Sequence, residues 1–303
     1  MAGPIAYLSG RLMPASEAKL SIYDLGIVLG ATVTDLLRTF RHQPYRLDDH
    51  VRRFYESCRY ARLNPGIEPE ETELITRQII AYNAQELGPS EDLAVVYFIT
   101  PGESPIYAGS AGGSVRLEPT FCIHSFPLPF QLWRHFFIEG VHLVIPSTRH
   151  VPPQCVDPKV KNRSRMHWWL ADQEARLADP RAIPLLLDLE GNLTETSGSN
   201  VLIVKNGVVL SPTPRNILLG VSRDRIRRIC DSQGIPFVER DLQVHDAINA
   251  DEAFLATTPY CMAPVTRVNG LEIGGGKAGP VFERILAQWS EEVGVDIRGQ
   301  VVG

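Results

Sequence analysis

A proline-rich segment near the middle of the chain, FPLPF at 126–130, most constrains the fold. A residue before proline favours extended backbone, and proline interrupts both helices and central strands. We therefore predict a linker at 126–130, between a smaller N-terminal domain, 1–125, and a larger C-terminal domain, 131–303. The length of 303 residues agrees with this division, because one domain commonly has about 100 to 200 residues.

Both halves are predicted to contain helices and strands, from hydrophobic periodicity and turn residues. In the first half we expect a hairpin around Ser9-Gly10, strands at 32–40, 43–47, 93–100 and 120–125, and helices from Asp48 and at 70–87. A Gly/Ser-rich loop is expected at 102–114. In the second half we expect strands at 141–145, 183–188, 200–205, 208–210 and 252–257, and helices at 164–178, from 220 to 234 and from Pro280. The pattern indicates two mixed α/β (α+β) domains and not one long alternating β-α series.

Composition excludes several classes of protein. The formal net charge of −5 argues against a dedicated binder of nucleic acid or anionic membranes. No apolar run approaches the roughly 18 residues that a membrane span requires. The start of the sequence, MAGPIAYLSG, lacks the basic residues and long apolar core of a signal peptide, so we expect a cytoplasmic protein.

The potential metal ligands and the one glycine-rich motif carry little signal. The five cysteines are scattered without a C-x-x-C pair, and the histidines form no H-E-x-x-H motif, so we predict reduced thiols and no metal site. The segment 274–278, GGGKA, is a poor match to a phosphate loop. Its first glycine is misplaced, and Ala278 stands where Ser or Thr would hold magnesium.

Lysine is scarce in this chain, which limits where Schiff-base chemistry can occur. Only five of the 30 basic residues are lysines, and arginine cannot act as an amine nucleophile. The candidates are Lys19, Lys159, Lys161, Lys205 and Lys277.

Three segments together suggest a phosphorylated cofactor. Residues 159–170 place lysines at the entry to a helix, and residues 188–200 contain Glu195 followed by small polar residues. Gly220-Val221-Ser222-Arg223 opens a helix, and Thr257-Thr258-Pro259 ends a strand. A helix N-terminus supplies amide donors and a favourable dipole for phosphate. A lysine and a carboxylate are the groups that pyridoxal phosphate needs in addition.

At these residues the chain resembles the class IV aminotransferases, the fold type IV pyridoxal-phosphate enzymes. This family includes branched-chain aminotransferase, D-amino acid transaminase and aminodeoxychorismate lyase. The resemblance runs nearly end to end, through Leu8–Gly10, Tyr23–Gly30, Arg46–Phe54, the lysine and Glu195 segments, Gly220–Arg223, Asp251–Leu255 and Pro264-Val265. It implies a two-domain fold with pyridoxal 5′-phosphate between the domains, and a homodimer.

The resemblance also implies roles for individual residues. Lys161 would form the Schiff base and shuttle the substrate proton. Lys159 is the rival, but the distance of Lys161 from Arg165-Met166 matches the family pattern better. Glu195 would keep the pyridine nitrogen protonated, and Arg53 would bind the phosphate. The other cofactor-binding residues implied are Arg165, Ser197, Asn200, Val221, Ser222 and Thr258.

The substrate side departs from the family pattern. D-amino acid transaminases carry a T-R-G step whose arginine holds the substrate carboxylate, and here the step is Thr100-Pro101-Gly102. Branched-chain aminotransferases have aromatic residues where Thr34 and Gln131 stand. Pro259 lies at a turn whose amide would bind the carboxylate, and it has no N–H. Leu36 replaces the Thr that a lyase would favour.

These departures leave the substrate open and define the functional hypotheses. We expect a homodimeric transaminase acting on L-amino acids, branched-chain-like, and 2-oxo acids. The alternative is an aminodeoxychorismate lyase-type enzyme that releases pyruvate. A D-amino acid transaminase and a non-catalytic protein of the same fold are weaker alternatives.

The sequence leaves the roles of three aromatic residues open. His50 is either a helix-face residue or a neighbour of the substrate. Trp168 and Trp169 are interpreted as core or dimer-interface residues, with stacking on a cofactor as the alternative.

Overall fold

The computed structural model describes residues 3–107, 109 and 117–303. It divides into two compact units, 1–128 with 160–165 and 129–159 with 166–303. The chain leaves the first unit after Leu128, which lies within the predicted linker. The strand predicted to end at residue 125 continues through Pro127 and so includes the start of that linker. Lys161, which the predicted ranges put in the second domain, belongs to the first compact unit. The Gly/Ser-rich loop expected at 102–114 lies partly outside the described residues.

The first unit contains the predicted helices and strands in the predicted order, and a short helix, Leu25–Val28, that the sequence did not predict. They are β1 (Ile5–Leu8), β2 (Arg11–Pro14), α1 (Leu25–Val28), β3 (Val33–Phe40), β4 (Gln43–Pro44), α2 (Leu47–Ala61), α3 (Pro69–Asn83), β5 (Leu93–Thr100) and β6 (Thr120–Pro127).

The strands of the first unit form one sheet, whose order within the described residues is β2-β1-β6-β5-β3-β4. Alternate side chains of β5, such as Val95 and Tyr97, pack into a core with Phe54 of α2 and Ile79 of α3. Because side chains alternate along a strand, Phe98 lies on the opposite face of the sheet. The first unit therefore has one helix-covered face and a second face without those helices.

The second unit contains more and shorter elements. They are α4 (Arg134–Ile138), β7 (Val141–Val144), α5 (Met166–Ala178), β8 (Ile183–Leu187), β9 (Leu193–Thr196), β10 (Asn200–Lys205), β11 (Val208–Ser211), α6 (Val221–Gln233), β12 (Phe237–Glu239), α7 (Val244–Ile248), β13 (Glu252–Thr257), β14 (Cys261–Val268), β15 (Leu271–Glu272), α8 (Pro280–Val293) and α9 (Ile297–Val302).

The sheet of the second unit runs β12-β11-β10-β13-β14-β7-β8-β9, and β15 is added beside β14. The path closes on itself because β9 also pairs with β10, through Glu195 and Asn200. Its core is formed by side chains such as Val201, Leu255 and Val265. None of the helices in the described part of the chain is long and apolar enough to span a bilayer.

Two differences from the predicted elements have local causes. Helix α5 begins at Met166 and not at Ser164, because the Ser164 amide donates to the Asn162 side chain (3.0 Å) in a turn. Strand β14 escaped prediction because Pro264 lies within it. Strand β14 pairs with β7 only from Val265 onwards. Pro264 precedes this pairing, so its missing N–H removes no hydrogen bond to β7.

Candidate active site

Arg53 is held by a buried carboxylate in the first unit. Its Nε donates to Asp35 Oδ2 (2.8 Å) and its Nη2 donates to Oδ1 (2.7 Å), which makes a two-point ion pair. Asp35 lies on β3 with no exposed surface, and Arg53 lies one turn after His50 on α2. His50 Nδ1 is 2.8 Å from Asp35 Oδ1. The three side chains therefore fix the orientation of the Arg53 guanidinium.

Electrostatics favour an ionised Asp35 beside a neutral His50. Burial alone would raise the pKa of Asp35, but the charge of Arg53 and the hydrogen bonds from His50 and Arg53 hold it well below its usual range. Burial lowers the pKa of His50, against the opposing effect of Asp35. Neutral His50 then donates from Nδ1 to the carboxylate, so the cluster carries one positive and one negative charge.

Lys161 and Lys159 lie in different environments. The Lys159 side chain is 45% exposed, and its Nζ is 3.4 Å from Asp157. Lys161 lies in a short bridge beside β3, where its carbonyl accepts from the Thr34 amide (2.9 Å) and its amide donates to Ser57 Oγ (3.3 Å). Burial is the main cause of the lowered pKa of His50, and the positive charge of Lys161 adds a smaller contribution.

Arg165 is half-buried at the end of the segment that returns to the first unit. The neighbouring Ser164 donates its hydroxyl to the Gly30 carbonyl (2.7 Å). This bond ties the lysine segment to the loop before β3 at a second point.

Glu195, the carboxylate of the predicted site in the second unit, is held by hydrogen bonds. Its Oε2 accepts from Asn200 Nδ2 (3.2 Å) and from the Leu218 amide (3.1 Å). Its Oε1 lies 3.5 Å from His150 Nε2. A Cβ on Gly220 would lie 2.1 Å from the Asn200 Oδ1, so glycine is needed for this close packing. One oxygen of Glu195 is thus fixed by two donors.

His150 is a neighbour of Glu195 that the sequence did not reveal. It is buried and packs edge-on against Trp168, with ring centroids 5.6 Å apart. Its Nδ1 is 3.0 Å from the Val151 carbonyl, which can only accept, so Nδ1 carries a proton. His150 and Glu195 are distant in sequence and form no motif, so no sequence signal linked them.

The N-terminus of α6 fits a phosphate group. Its N-cap is Gly220, and no side chain of the described residues caps it. Val221 and Ser222, the first helical residues, are buried. Four N–H groups at a helix start have no partner within the helix, and they bind anions well.

The N-terminus of α8 gives a contrasting case at the GGGKA segment. There the Glu252 carboxylate accepts from the amides of Val281 and Phe282, each at 2.9 Å. A side chain of the chain itself already supplies the anion at this helix. The weak phosphate-loop match at 274–278 therefore has no support from the geometry.

The loops that carry Ser197 and Thr258 are linked to each other. Thr257 Oγ1 donates to the Gly198 carbonyl (2.7 Å). Ser199 Oγ and Tyr260 Oη are 3.2 Å apart. Ser197 is half-buried, and Thr258-Pro259 form the turn between β13 and β14.

The residues expected to shape the substrate pocket differ in exposure. Thr34 is buried and donates its hydroxyl to the Tyr97 carbonyl (2.8 Å). Gln131 lies exposed in a 3-10 turn, Phe130–Trp133. Trp168 packs inside the second unit, whereas Trp169 is 62% exposed. His50 lies on the buried face of helix α2, where it is a partner of Asp35.

The described residues contain no candidate metal centre. No group of three or more His, Cys, Asp or Glu side chains among the described residues could hold a metal ion. All five cysteines are thiols without a disulfide, and all but Cys155 are buried.

Comparison with known families assigns the chain. The family model for amino-transferase class IV matches residues 32–268, which is most of the sequence. The chain belongs to the class IV aminotransferases. As a member of that family it is a pyridoxal-phosphate-dependent transaminase with the fold type IV architecture.

Individual relatives of this aminotransferase point to more than one substrate. A Methanocaldococcus jannaschii protein named "Putative branched-chain-amino-acid aminotransferase" is 28% identical over 289 residues, covering 94% of this chain and 95% of that protein. The Bacillus licheniformis D-alanine aminotransferase is 25% identical over 278 residues, covering 91% and 93%.

Solved structures agree with this aminotransferase fold. The T.th. branched-chain amino acid aminotransferase, in complex with N-(5'-phosphopyridoxyl)-L-glutamate, has a TM-score of 0.83 at 25% identity, covering 97% of this chain and 95% of that one. The Escherichia coli branched-chain enzyme has a TM-score of 0.87 at 22% identity, covering 95% and 94%, and supports the fold alone.

Proposed function

We propose that this aminotransferase transfers the amino group between an L-amino acid, of branched-chain-like character, and a 2-oxo acid. The T-P-G step at 100–102, without the arginine of the D-amino acid enzymes, is the observation that carries the L preference. In the structure, the first residue of this segment makes a hydrogen bond within the first unit: the Thr100 hydroxyl donates to Asp24 (2.8 Å). The similarity to branched-chain aminotransferases supports the same assignment.

Lys161 is the proposed attachment point for the cofactor aldehyde and the group that moves the substrate proton. Two backbone hydrogen bonds and a bridge between Val33 and Asn162 hold its segment against β3. Lys159 is exposed and lies beside Asp157. A reacting amine needs a defined position more than mobility, which favours Lys161.

Arg53 and the start of α6 are each proposed to bind the cofactor phosphate. The Asp35 pair fixes the guanidinium, so less side-chain entropy is lost when phosphate binds. The amides of Val221 and Ser222 would add the helix-terminal donors, and Thr258 a hydroxyl.

Glu195 is proposed to hold a proton on the cofactor's pyridine nitrogen. When bound, pyridoxal phosphate supplies the electron sink for the substrate carbanion. Asn200 and the Leu218 amide hold one oxygen of the Glu195 carboxylate in a fixed position through two hydrogen bonds. Ser197 and Arg165 are proposed to complete the cofactor contacts.

The assembly and location are also proposals. We infer a homodimer from the family resemblance. The five unpaired thiols agree with a reducing compartment such as the cytoplasm.

A titration of donors tests the proposed function against the lyase alternative. The protein loaded with pyridoxal phosphate is mixed singly with L- and D-amino acids, and its visible spectrum is recorded. We expect branched-chain-like L-amino acids to convert the cofactor to the pyridoxamine form, and their D-enantiomers to leave it unchanged. Conversion by D-alanine alone would reverse the proposed handedness. Pyruvate release from aminodeoxychorismate with no amino acceptor would favour the lyase.

A further inference from the structure

Arg163 lies two residues after Lys161, on the same bridge beside β3. The Arg163 amide donates to the Thr32 carbonyl (2.9 Å), and Asn162 pairs with Val33 in antiparallel fashion. Val160 packs into the core of the first unit. Because side chains alternate along extended backbone, Lys161 and Arg163 leave the segment on the side opposite to Val160, with Cα atoms about 7 Å apart.

The Arg163 side chain lies over the second face of the first unit's sheet. Its guanidinium carbon is 5.4 Å from the centre of the Phe98 ring. Phe98 is the direct cross-strand partner of Thr34 on one side and of Cys122 on the other. Arg163 therefore stands beside a row of side chains that includes Thr34, the residue expected to line the substrate pocket.

The charge of Arg163 has no anionic partner among the residues that the structure describes. The remaining residues contain no Asp or Glu in the sequence. Its neighbours are neutral at pH 7, because burial raises the pKa of the Cys122 thiol to about 12 and burial lowers the pKa of His124. Arg163 is an exposed residue, and desolvation of its guanidinium still lowers its pKa.

A partly desolvated arginine without a counter-ion is a suitable site for a carboxylate, which it can bind through two parallel hydrogen bonds. The amino acid substrate brings such a group one bond from the carbon that must meet Lys161. Other routes to this carboxylate are reduced in this chain, since Pro259 has no N–H and Pro101 replaces the arginine of the D-amino acid enzymes. The segment that carries Lys161, where the substrate carboxylate must be bound nearby, thus also carries the unpaired charge of Arg163.

We propose that Arg163 binds the α-carboxylate of the substrate and so makes the enzyme specific for amino acids and 2-oxo acids over simple amines and aldehydes. This inference rests on the proposed function, because it needs Lys161 as the reacting lysine. It explains how a chain with proline at both expected carboxylate positions still selects an acid.

The test uses equilibrium binding, which does not depend on turnover. The protein loaded with pyridoxal phosphate is titrated by calorimetry with 4-methylvalerate, a carboxylate without an amino group, and with its neutral amide. Arg163→Gln is expected to weaken 4-methylvalerate binding about 10- to 100-fold, since a hydrogen-bonded charge pair is lost, and to leave binding of the amide unchanged. Arg163→Lys should keep part of the affinity.

Arg77→Gln is the matched control, because Arg77 is exposed on α3, on the helix-covered side of the sheet. It should bind both compounds like the wild type. Equal affinity of Arg163→Gln and wild type for 4-methylvalerate would overturn the proposal, as would equal losses for the acid and the amide. A wild-type protein that binds the acid no better than the amide would overturn it as well.

The donor titration separates the two claims. If the wild type converts no amino acid but Arg163→Gln loses carboxylate affinity, the proposed transamination fails and the role of Arg163 stands. If amino acids are converted with the same apparent affinity by Arg163→Gln, the carboxylate is bound elsewhere and the transaminase assignment stands.

Discussion

At the scale of single residues, the site depends on charges that are paired before any ligand arrives. Asp35 neutralises Arg53 inside the protein, and Asn200 with the Leu218 amide orients Glu195. Preorganised groups bind and catalyse well because they lose little freedom when the ligand arrives. Arg53 and Glu195, which we propose to contact the cofactor, are thus oriented by groups of the protein itself.

Asp35→Asn should lower the free energy of unfolding by about 3–5 kcal/mol, because it leaves the buried Arg53 charge without its partner. Chemical denaturation measures this change. Asp157→Asn, which removes the exposed partner of Lys159, should cost less than about 1 kcal/mol. Similar losses in the two variants would contradict the proposed importance of the buried pair.

Glu195→Gln should slow the first half-reaction about 100- to 1,000-fold, because a neutral amide cannot stabilise a positive pyridine nitrogen. Stopped-flow absorbance measures the rate, and the cofactor band reports that pyridoxal phosphate still binds. Glu190→Gln is the control, since Glu190 is an exposed carboxylate in the preceding turn. A wild-type rate in Glu195→Gln would remove Glu195 from the mechanism.

Buried histidines should make stability depend on pH. A lowered pKa in the folded state means that, below about pH 6.5, the unfolded chain binds protons that the folded protein does not. The folded state therefore loses up to about 1.4 kcal/mol per pH unit for each such group as the pH falls. His50 and His124 are the groups concerned. Asp35 has the same sign, but its contribution is lost only below about pH 3.9.

Thermal unfolding between pH 8 and pH 5.5 tests this dependence with pyridoxal phosphate kept saturating. The wild-type Tm should fall, and His50→Gln should fall less, because glutamine can donate to Asp35 without titrating. An equal fall in both proteins would show that His50 makes no contribution.

At the scale of elements, the two long helices α6 and α8 differ in how they begin. Glu252 supplies the acceptor at α8, whereas α6 begins at Gly220 without a side-chain cap among the described residues. A helix whose terminus binds a ligand cannot also use a strong internal cap there. The difference agrees with a structural role for Glu252 at α8 and with the phosphate role that we propose for the start of α6.

Glu252→Ala should cost about 1–2 kcal/mol of stability, since two amides at the start of α8 lose their acceptor. Urea denaturation measures the loss. Glu291→Ala, an exposed change near the other end of α8, should stay within about 0.5 kcal/mol of the wild type. A negligible change in Glu252→Ala would mean that water replaces the carboxylate without cost.

The sequence predicted elements well where periodicity and caps agree. Strands 93–100 and 252–257 and the start of α8 at Pro280 are confirmed, because apolar runs and an N1 proline mark them clearly. The sequence failed where a tertiary partner decides the conformation. The start of α5 depends on an Asn162 turn, and β14 tolerates Pro264 only because of where β7 begins.

At the scale of the whole molecule, the resemblance predicted the family, the fold class and the cofactor, and these are confirmed. It could not reveal Asp35 or His150, because their partners are distant in sequence and no motif joins them, nor the contact of Arg163 with Phe98. The residue roles taken from the resemblance stay predictions, as does the homodimer. The proposed residue roles all depend on which lysine reacts with the cofactor.

Reduction of the cofactor-loaded protein with borohydride, followed by peptide mass spectrometry, tests that identity most directly. Borohydride fixes the phosphopyridoxyl group on the lysine that carries it. We predict that the label lies on Lys161 and that Lys161→Ala carries none. A label on Lys159 in the wild-type protein would contradict the account and remove the basis for the role of Arg163.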